Sequence, residues 1–156
     1  MYEVKDGSRT FQFNGRLLGE SSSRYADSLR WIEFQLYKSE SGSYIISRIG
    51  VSIVFHGAAC FLVKKYNLTE GLPENLRPSA YPCLECSPSK NLPFVFPEKD
   101  RTWAYVTDDP QDVIDALYKY DDKNNGYLTN VAKRLLESAT KNDENLDMVY
   151  RLETIP

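Results

Sequence analysis

The sequence predicts an α+β fold, because strand patterns fill the first part of the chain and helix patterns fill its last third. Residues 30–38 alternate apolar and polar side chains, which places three residues on one buried face: Ile32, Phe34 and Leu36. The segment from Pro110 onwards repeats apolar residues at helical spacing. We therefore expect one domain, residues 1–156, with an antiparallel sheet or meander of about four strands and two or three C-terminal helices packed on it.

Turn signals separate the predicted strands. Residues 30–55 should form an antiparallel hairpin that turns near Ser41-Gly42, since two β-rich segments flank a Ser/Gly stretch. The pair Asn14-Gly15 interrupts an earlier alternation and is typical of a hairpin turn. Residues 57–68 fit either a short helix or a strand, and we favour the helix. Residues 102–106 form a further short strand.

The C-terminal third carries clear helix signals. A first helix should start at Pro110, with an Asp as its N-cap and acidic residues in its first turn. A second helix should be capped by Thr129, and its apolar stripe comprises Leu128, Val131, Leu135, Leu136 and Ala139. Residues 144–150 fit a short third helix.

Composition and charge argue against several classes of protein. The chain is 42% hydrophobic and 26% charged, which is ordinary for a globular protein. Its net charge of −3 disfavours a broad nucleic-acid footprint, because such a surface needs a positive field. The polar N-terminus shows no signal-peptide pattern, and residues 49–63 are too short and interrupted to span a bilayer. Three cysteines fit a reducing compartment, so we expect a cytoplasmic protein that does not enter membranes.

A proline-rich stretch, residues 68–98, is expected to be a long loop, and it contains Cys83 and Cys86 at CxxC spacing. This spacing allows two thiolates to bind one zinc ion, and the chain offers two further ligands in Cys60 and its single histidine, His56. A structural zinc site is therefore one hypothesis. The alternatives are a redox pair, which the flanking prolines disfavour, and unreactive thiols.

The secondary structure of residues 57–68 decides how well the zinc hypothesis fits. On a helix, the i,i+4 spacing of His56 and Cys60 would direct both side chains to one side. On a strand they would be about 13 Å apart, too far to share an ion. Cys60 also lies in an apolar segment, where a free cysteine is commonly a buried apolar residue.

An acidic run surrounds the start of the first predicted helix. Asp108, Asp112 and Asp115 can share one helix face, and we consider them candidate binding residues of an acidic docking surface. The alternatives are simple stabilisation of the helix dipole and a set of metal-binding nuclease carboxylates. The segment after Asp121 resembles a calcium loop only in part, because Lys123 and Ala132 occupy ligand positions.

The sequence favours a binding function over catalysis. It contains none of the GxGxxG, Walker, HExxH or GxSxG motifs. The favoured function is a small cytosolic, non-catalytic binding or regulatory protein that acts through contacts with another protein and carries a structural zinc site if the CxxC binds metal. The alternative is a small nucleic-acid-binding protein or a histidine-independent nuclease that uses Arg16, Arg24, Arg30, Arg48 and Tyr37.

Overall fold

The computed structural model describes residues 1–25, 30–56, 92–95, 101–152 and 155. The chain divides into two compact units. The first comprises Met1–Ala26, Trp31–Gly50 and Arg101–Pro156, and the second comprises Asp27–Arg30 and Val51–Asp100. The α+β prediction is confirmed, because an antiparallel sheet precedes helices in the last third of the chain. That the chain forms one domain stays a prediction.

Nine strands and three helices are present in the described residues. The strands are β1 Tyr2–Asp6, β2 Arg9–Phe13, β3 Gly15–Ser22, β4 Arg30–Ser39, β5 Tyr44–His56, β6 Leu92–Val95, β7 Arg101–Thr107, β8 Lys119–Tyr120 and β9 Gly126–Tyr127. The helices are α1 Pro110–Leu117, α2 Asn130–Thr140 and α3 Glu144–Arg151.

In the first unit, β3, β4, the first half of β5 and β7 form a four-stranded antiparallel sheet in that order. The predicted hairpin is confirmed as β4–β5. The N–H of Gly42 donates to the carbonyl of Ser39 at 3.0 Å, and Gly42 has a φ of 94°, a conformation that glycine adopts without strain. Phe34 and Leu36 are buried as predicted, whereas Ile32 is half-buried at the margin of the core.

Both faces of this sheet are covered. The three helices cover one face, and their core contains Leu18, Leu36, Ile46, Val113, Leu135 and Leu146. The β1–β2 hairpin contributes to a smaller cluster formed by Val4, Ile45 and Ala104. Along β5, Ile45 and Ile46 therefore pack into different clusters, as expected for neighbouring residues of a strand.

The helix termini follow the sequence signals. The first helix starts at Pro110, and the side chain of Asp109 accepts from the N–H of Gln111 at 2.9 Å. The second helix is capped by Thr129, as predicted. The third helix covers the predicted segment, with Asp143 as its N-cap. No helix in the described part of the chain is long and apolar enough to cross a membrane.

The prediction of a hairpin turn at Asn14-Gly15 is wrong. The strand before this pair, β2, pairs with β1, whereas β3 pairs with β4, so the chain changes sheets at Asn14. Gly15 is needed for a different reason: a Cβ there would lie 2.1 Å from the carbonyl oxygen of Lys38. The actual turn of the first hairpin contains Gly7, which has a φ of 59°.

In the second unit, the last four residues of β5 pair antiparallel with β6, from Ile53 opposite Val95 to His56 opposite Leu92. The predicted proline-rich loop, residues 68–98, thus contains this one short strand among its described residues; the rest of the loop prediction falls on residues that are not described. Among the described strands, β6 is the last in the pairing order, and proline is tolerated at such an edge position because its missing N–H breaks no ladder. Residues 57–68 lie outside the described residues, so their helix or strand assignment stays a prediction.

Candidate functional site

The three predicted binding aspartates lie around the start of α1. Asp108 precedes the helix, is exposed, and accepts a hydrogen bond from the hydroxyl of Ser43. Asp112 is half-buried and accepts from the hydroxyl of Thr107 at 3.0 Å, while Asp115 is exposed. Within the described ranges, none of the three aspartates forms an ion pair with Lys or Arg. Their negative charges are therefore not neutralised by those residues.

Two clefts border α1 and α3. The first has a volume of about 420 Å³, and the residues that line it include Lys38, Tyr44, Asp108, Asn145, Met148 and Val149. The second has a volume of about 390 Å³, and its lining includes Ile114, Asp115, Leu128, Val149, Tyr150 and Leu152. Val149 lines both clefts, so they adjoin along α3. We call these two clefts and the residues that line them the α1–α3 surface.

This surface exposes large apolar side chains. Met148 is 71% exposed and lines the first cleft, and Leu152 is 78% exposed and lines the second. One of the predicted binding aspartates lines each cleft, Asp108 the first and Asp115 the second. The α1–α3 surface thus combines exposed apolar groups with carboxylates that no described Lys or Arg neutralises.

A buried polar cluster lies beneath the first cleft. The carboxylate of Asp143, whose side chain is only 4% exposed, accepts from Lys38 Nζ and from the Tyr44 hydroxyl, each at 2.6 Å. The same carboxylate caps α3 by accepting from the N–H of Leu146 at 3.0 Å. Lys38 Nζ also lies 4.9 Å from the centre of the Tyr44 ring. These contacts join the β4–β5 hairpin to the start of α3.

Two residues of this cluster, Asp143 and Tyr44, have shifted pKa values. Burial would raise the pKa of Asp143, but hydrogen bonds from Lys38 and Tyr44 outweigh it and hold the pKa below its usual value. Burial and the hydrogen bond to Asp143 raise the pKa of Tyr44 far above its usual value. At neutral pH the Asp143 carboxylate is therefore ionised and accepts from Lys38 and from the neutral phenol of Tyr44. This arrangement fixes the position of α3.

The short β8–β9 hairpin presents two further aromatic side chains. Tyr120 is 64% exposed and Tyr127 is 45% exposed. The connecting loop is held by Asp121, whose Oδ1 accepts from the N–H groups of Lys123 and Asn125 at 2.9 and 2.8 Å. These hydrogen bonds, that from Asn125 first, lower the pKa of Asp121. The loop is therefore ordered by its own backbone hydrogen bonds.

Four of the five residues named for the alternative function make their contacts in different places. Arg24 lies over the ring of Trp31 at 4.4 Å, and Arg16 donates to the backbone between α2 and α3 at 2.8 Å. Tyr37 packs with the cluster on the β1–β2 side of the sheet, whereas Arg48 lines a cavity on the helix side. The structure therefore assembles no nuclease-like constellation from these four residues.

The predicted zinc ligands fall mostly beyond the described residues. His56 is the last residue of β5, and Cys60, Cys83 and Cys86 lie in the part of the chain that is not described. In residues 1–25, 30–56, 92–95, 101–152 and 155, no group of three or more His, Cys, Asp or Glu side chains could hold a metal ion. The zinc site stays a prediction.

Comparisons with known proteins add no relative. No protein-family model matches the chain, and neither a curated protein nor a solved structure is significantly similar to it. The fold and the α1–α3 surface therefore provide the basis for a functional proposal.

Sequence reasoning missed two features of this region. The cluster of Lys38, Tyr44 and Asp143 joins residues about a hundred positions apart, and no local pattern reports such a contact. An N-cap signal at Asp143, directly before the third helix, was the one available clue. The cavity beside Arg48 was also missed, because its lining combines residues of β4, β5 and β7 with residues at the end of α1.

Proposed function

We propose that this chain is a non-catalytic binding protein of the cytoplasm and that it recognises a partner protein through the α1–α3 surface. The observation that carries the proposal is the pair of adjoining clefts, with the exposed apolar side chains of Met148 and Leu152 beside the carboxylates of Asp108 and Asp115. Exposed apolar groups rimmed by polar residues are typical of protein-interaction sites.

The charge of the surface specifies the partner's chemistry. The carboxylates of Asp108 and Asp115 have no Lys or Arg partner among the described residues, and residues 99–156 carry 8 basic and 12 acidic residues, a net charge of −4. A complementary partner segment therefore carries Lys or Arg beside apolar side chains. The apolar side chains would enter the clefts, and the basic groups would contact the rim. The Tyr120 and Tyr127 side chains are suited to extend such a contact.

The test starts with capture of a partner by the tagged full-length chain, followed by calorimetric titration of the purified partner. Leu152→Asp and Asp115→Lys are each expected to weaken binding at least tenfold, about 1.4 kcal/mol, because one removes an apolar contact and the other reverses a rim charge. Glu3→Lys makes the same charge change on the exposed β1 strand and is the matched control. It should alter the affinity less than about twofold, equivalent to roughly 0.4 kcal/mol.

Unchanged affinity in both surface variants, each shown by circular dichroism to be folded, would contradict the proposal. A salt-sensitive mobility shift of nucleic acid by the purified protein, with no captured protein partner, would favour the nucleic-acid alternative instead.

A further inference from the structure

Arg48 occupies a position where the apolar core would otherwise continue. Tyr44 and Ile46 precede it at two-residue spacing on β5, and both are buried in the core beneath the helices. Its neighbour across the strand pair is Trp103 of β7. Arg48 is half-buried, so its guanidinium group lies at the margin of this core, where a partner of opposite charge would stabilise it.

A cavity of about 210 Å³ lies beside this guanidinium group. Its lining includes Phe34, Arg48, Trp103, Ala116, Tyr118 and Lys119, and we call it the Arg48 pocket. Among the described residues, the lining contains two cationic side chains and no carboxylate. The Nε atom of Arg48 is buried and has no hydrogen-bond partner among the described residues. The Arg48 side chain therefore lines the pocket with a donor group that is not fully satisfied, and an anion in the pocket would give the guanidinium group an acceptor.

A further cation lies next to the pocket. Gly50 follows Arg48 on the same face of β5, and the side chain of Arg101 lies over it, since a Cβ on Gly50 would be 3.3 Å from Arg101 Nε. No ion pair joins Arg48, Arg101 or Lys119 to a carboxylate within the part of the chain that the structure describes. The positive charges of these three side chains are therefore not offset by a carboxylate of the described residues, although the C-terminal third has a net negative charge.

We propose that the Arg48 pocket binds a small organic anion in which a carboxylate or phosphate group is attached to an aromatic ring. Arginine presents a planar fork of donors that fits both anions, and the rings of Phe34 and Trp103 supply the apolar walls. A dry cavity of about 150 Å³ holds benzene, so 210 Å³ accommodates a ring with one acidic group. This function is separate from protein binding at the α1–α3 surface.

The chain carries its own reporter of binding. It has two tryptophans, and Trp31→Phe leaves Trp103, in the pocket wall, as the only one. Titration of this variant with benzoate and with phenyl phosphate should give a saturable change in Trp103 fluorescence. Inorganic phosphate lacks the aromatic ring and benzyl alcohol lacks the anionic group, so each should bind at least tenfold more weakly. Calorimetry on the unaltered chain measures the same affinities without any substitution.

Two variants test the pocket by different means. Arg48→Gln should weaken benzoate and phenyl phosphate at least tenfold, and Ala116→Leu should block the pocket while Arg48 remains. Arg9→Gln, the same change at an exposed arginine that lies over Phe11 on the β1–β2 hairpin, should change the affinity less than twofold. The relative affinities for benzoate and phenyl phosphate identify which anionic group is preferred.

Either of two results would overturn the proposal. One is the absence of saturable binding of both aromatic anions at about 10 mM, a range in which binding is too weak for a specific site. The other is equal affinity in the unaltered chain, Arg48→Gln and Ala116→Leu, which would place the binding elsewhere.

Discussion

Replacing Asp143 by alanine should destabilise the protein far more than replacing an ordinary helix cap. Asp143 is the N-cap of α3, and its buried carboxylate also accepts hydrogen bonds from Lys38 and Tyr44 at 2.6 Å. Asp109 is the N-cap of α1, but it is exposed and its side chain accepts from Gln111. The two aspartates therefore form a matched pair that differs in burial and in tertiary contacts.

The expected loss follows from these contacts. Removing a cap costs about 1 kcal/mol. The Tyr44 hydroxyl lies on a residue that is 2% exposed, and leaving such a donor without a partner costs about 1–3 kcal/mol. The Lys38 side chain is 20% exposed, so its ammonium can turn towards water and adds less. Asp143→Ala should therefore lose about 3 kcal/mol, against about 1 kcal/mol for Asp109→Ala.

Urea unfolding of both variants measures this difference. With a denaturant slope of roughly 1–3 kcal/mol per molar, a loss of about 3 kcal/mol moves the midpoint by about 1–3 M. In a double-mutant cycle, Tyr44→Phe combined with Asp143→Ala should cost less than the sum of the single changes, because no phenol is left unpaired. If Asp143→Ala loses no more than Asp109→Ala, the assignment of the cluster as a buried anchor is refuted.

The pH dependence supplies a second measurement of the same cluster. Burial opposes ionisation of Asp143, but hydrogen bonds from Lys38 and Tyr44 outweigh it, so its pKa is lower in the folded state. Such a carboxylate contributes stability that is fully present above its unfolded pKa of about 3.9. This contribution is lost as the pH falls through the folded pKa. The stability difference between the unaltered chain and Asp143→Asn should therefore shrink below about pH 4.

Two further predictions concern packing and metal. Gly19→Ala should lower the free energy of unfolding in urea by about 1–3 kcal/mol, because the added Cβ would lie 2.7 Å from the backbone N of Ala139. The control is Gly7→Ala, where the space is open and only the backbone conformation is tested. Equal losses in the two variants would contradict the packing argument. If Cys83 and Cys86 bind zinc, elemental analysis of reduced protein finds about one zinc per chain, and Cys83→Ser lowers the zinc content. Less than about a tenth of an equivalent, in protein never exposed to chelator, would exclude the site.

Local patterns predicted the elements whose signals lie within one segment. The alternation in residues 30–38, the proline at the start of α1 and the cap at Thr129 each identify an element from neighbouring residues, and all three predictions are confirmed. The β1 strand was missed because only Val4 of its five residues is buried, so it carries no apolar alternation. The change of sheets at Asn14 was missed because the approach of Gly15 to Lys38 is a tertiary contact.

Of the candidate site, the sequence predicted only the acidic residues. The acidic run identified Asp108 and Asp115 as possible docking residues, but the clefts beside them depend on the packing of α3 next to α1. No motif in the sequence marks Met148 or Leu152 as binding residues. An exposed apolar side chain indicates a binding site only when neighbouring elements place it beside a cavity.

The buried cluster and the α1–α3 surface depend on each other through α3. This helix has eight residues, too few to be stable alone, and Leu146 is its one fully buried apolar side chain. Its position relative to the β4–β5 hairpin is therefore set largely by Asp143, Lys38 and Tyr44. Because Met148 and Val149 follow on the same helix, the cluster also holds the clefts in shape before a partner arrives. A preformed surface binds with less loss of conformational entropy, so the polar cluster supports the proposed binding function as well as the fold.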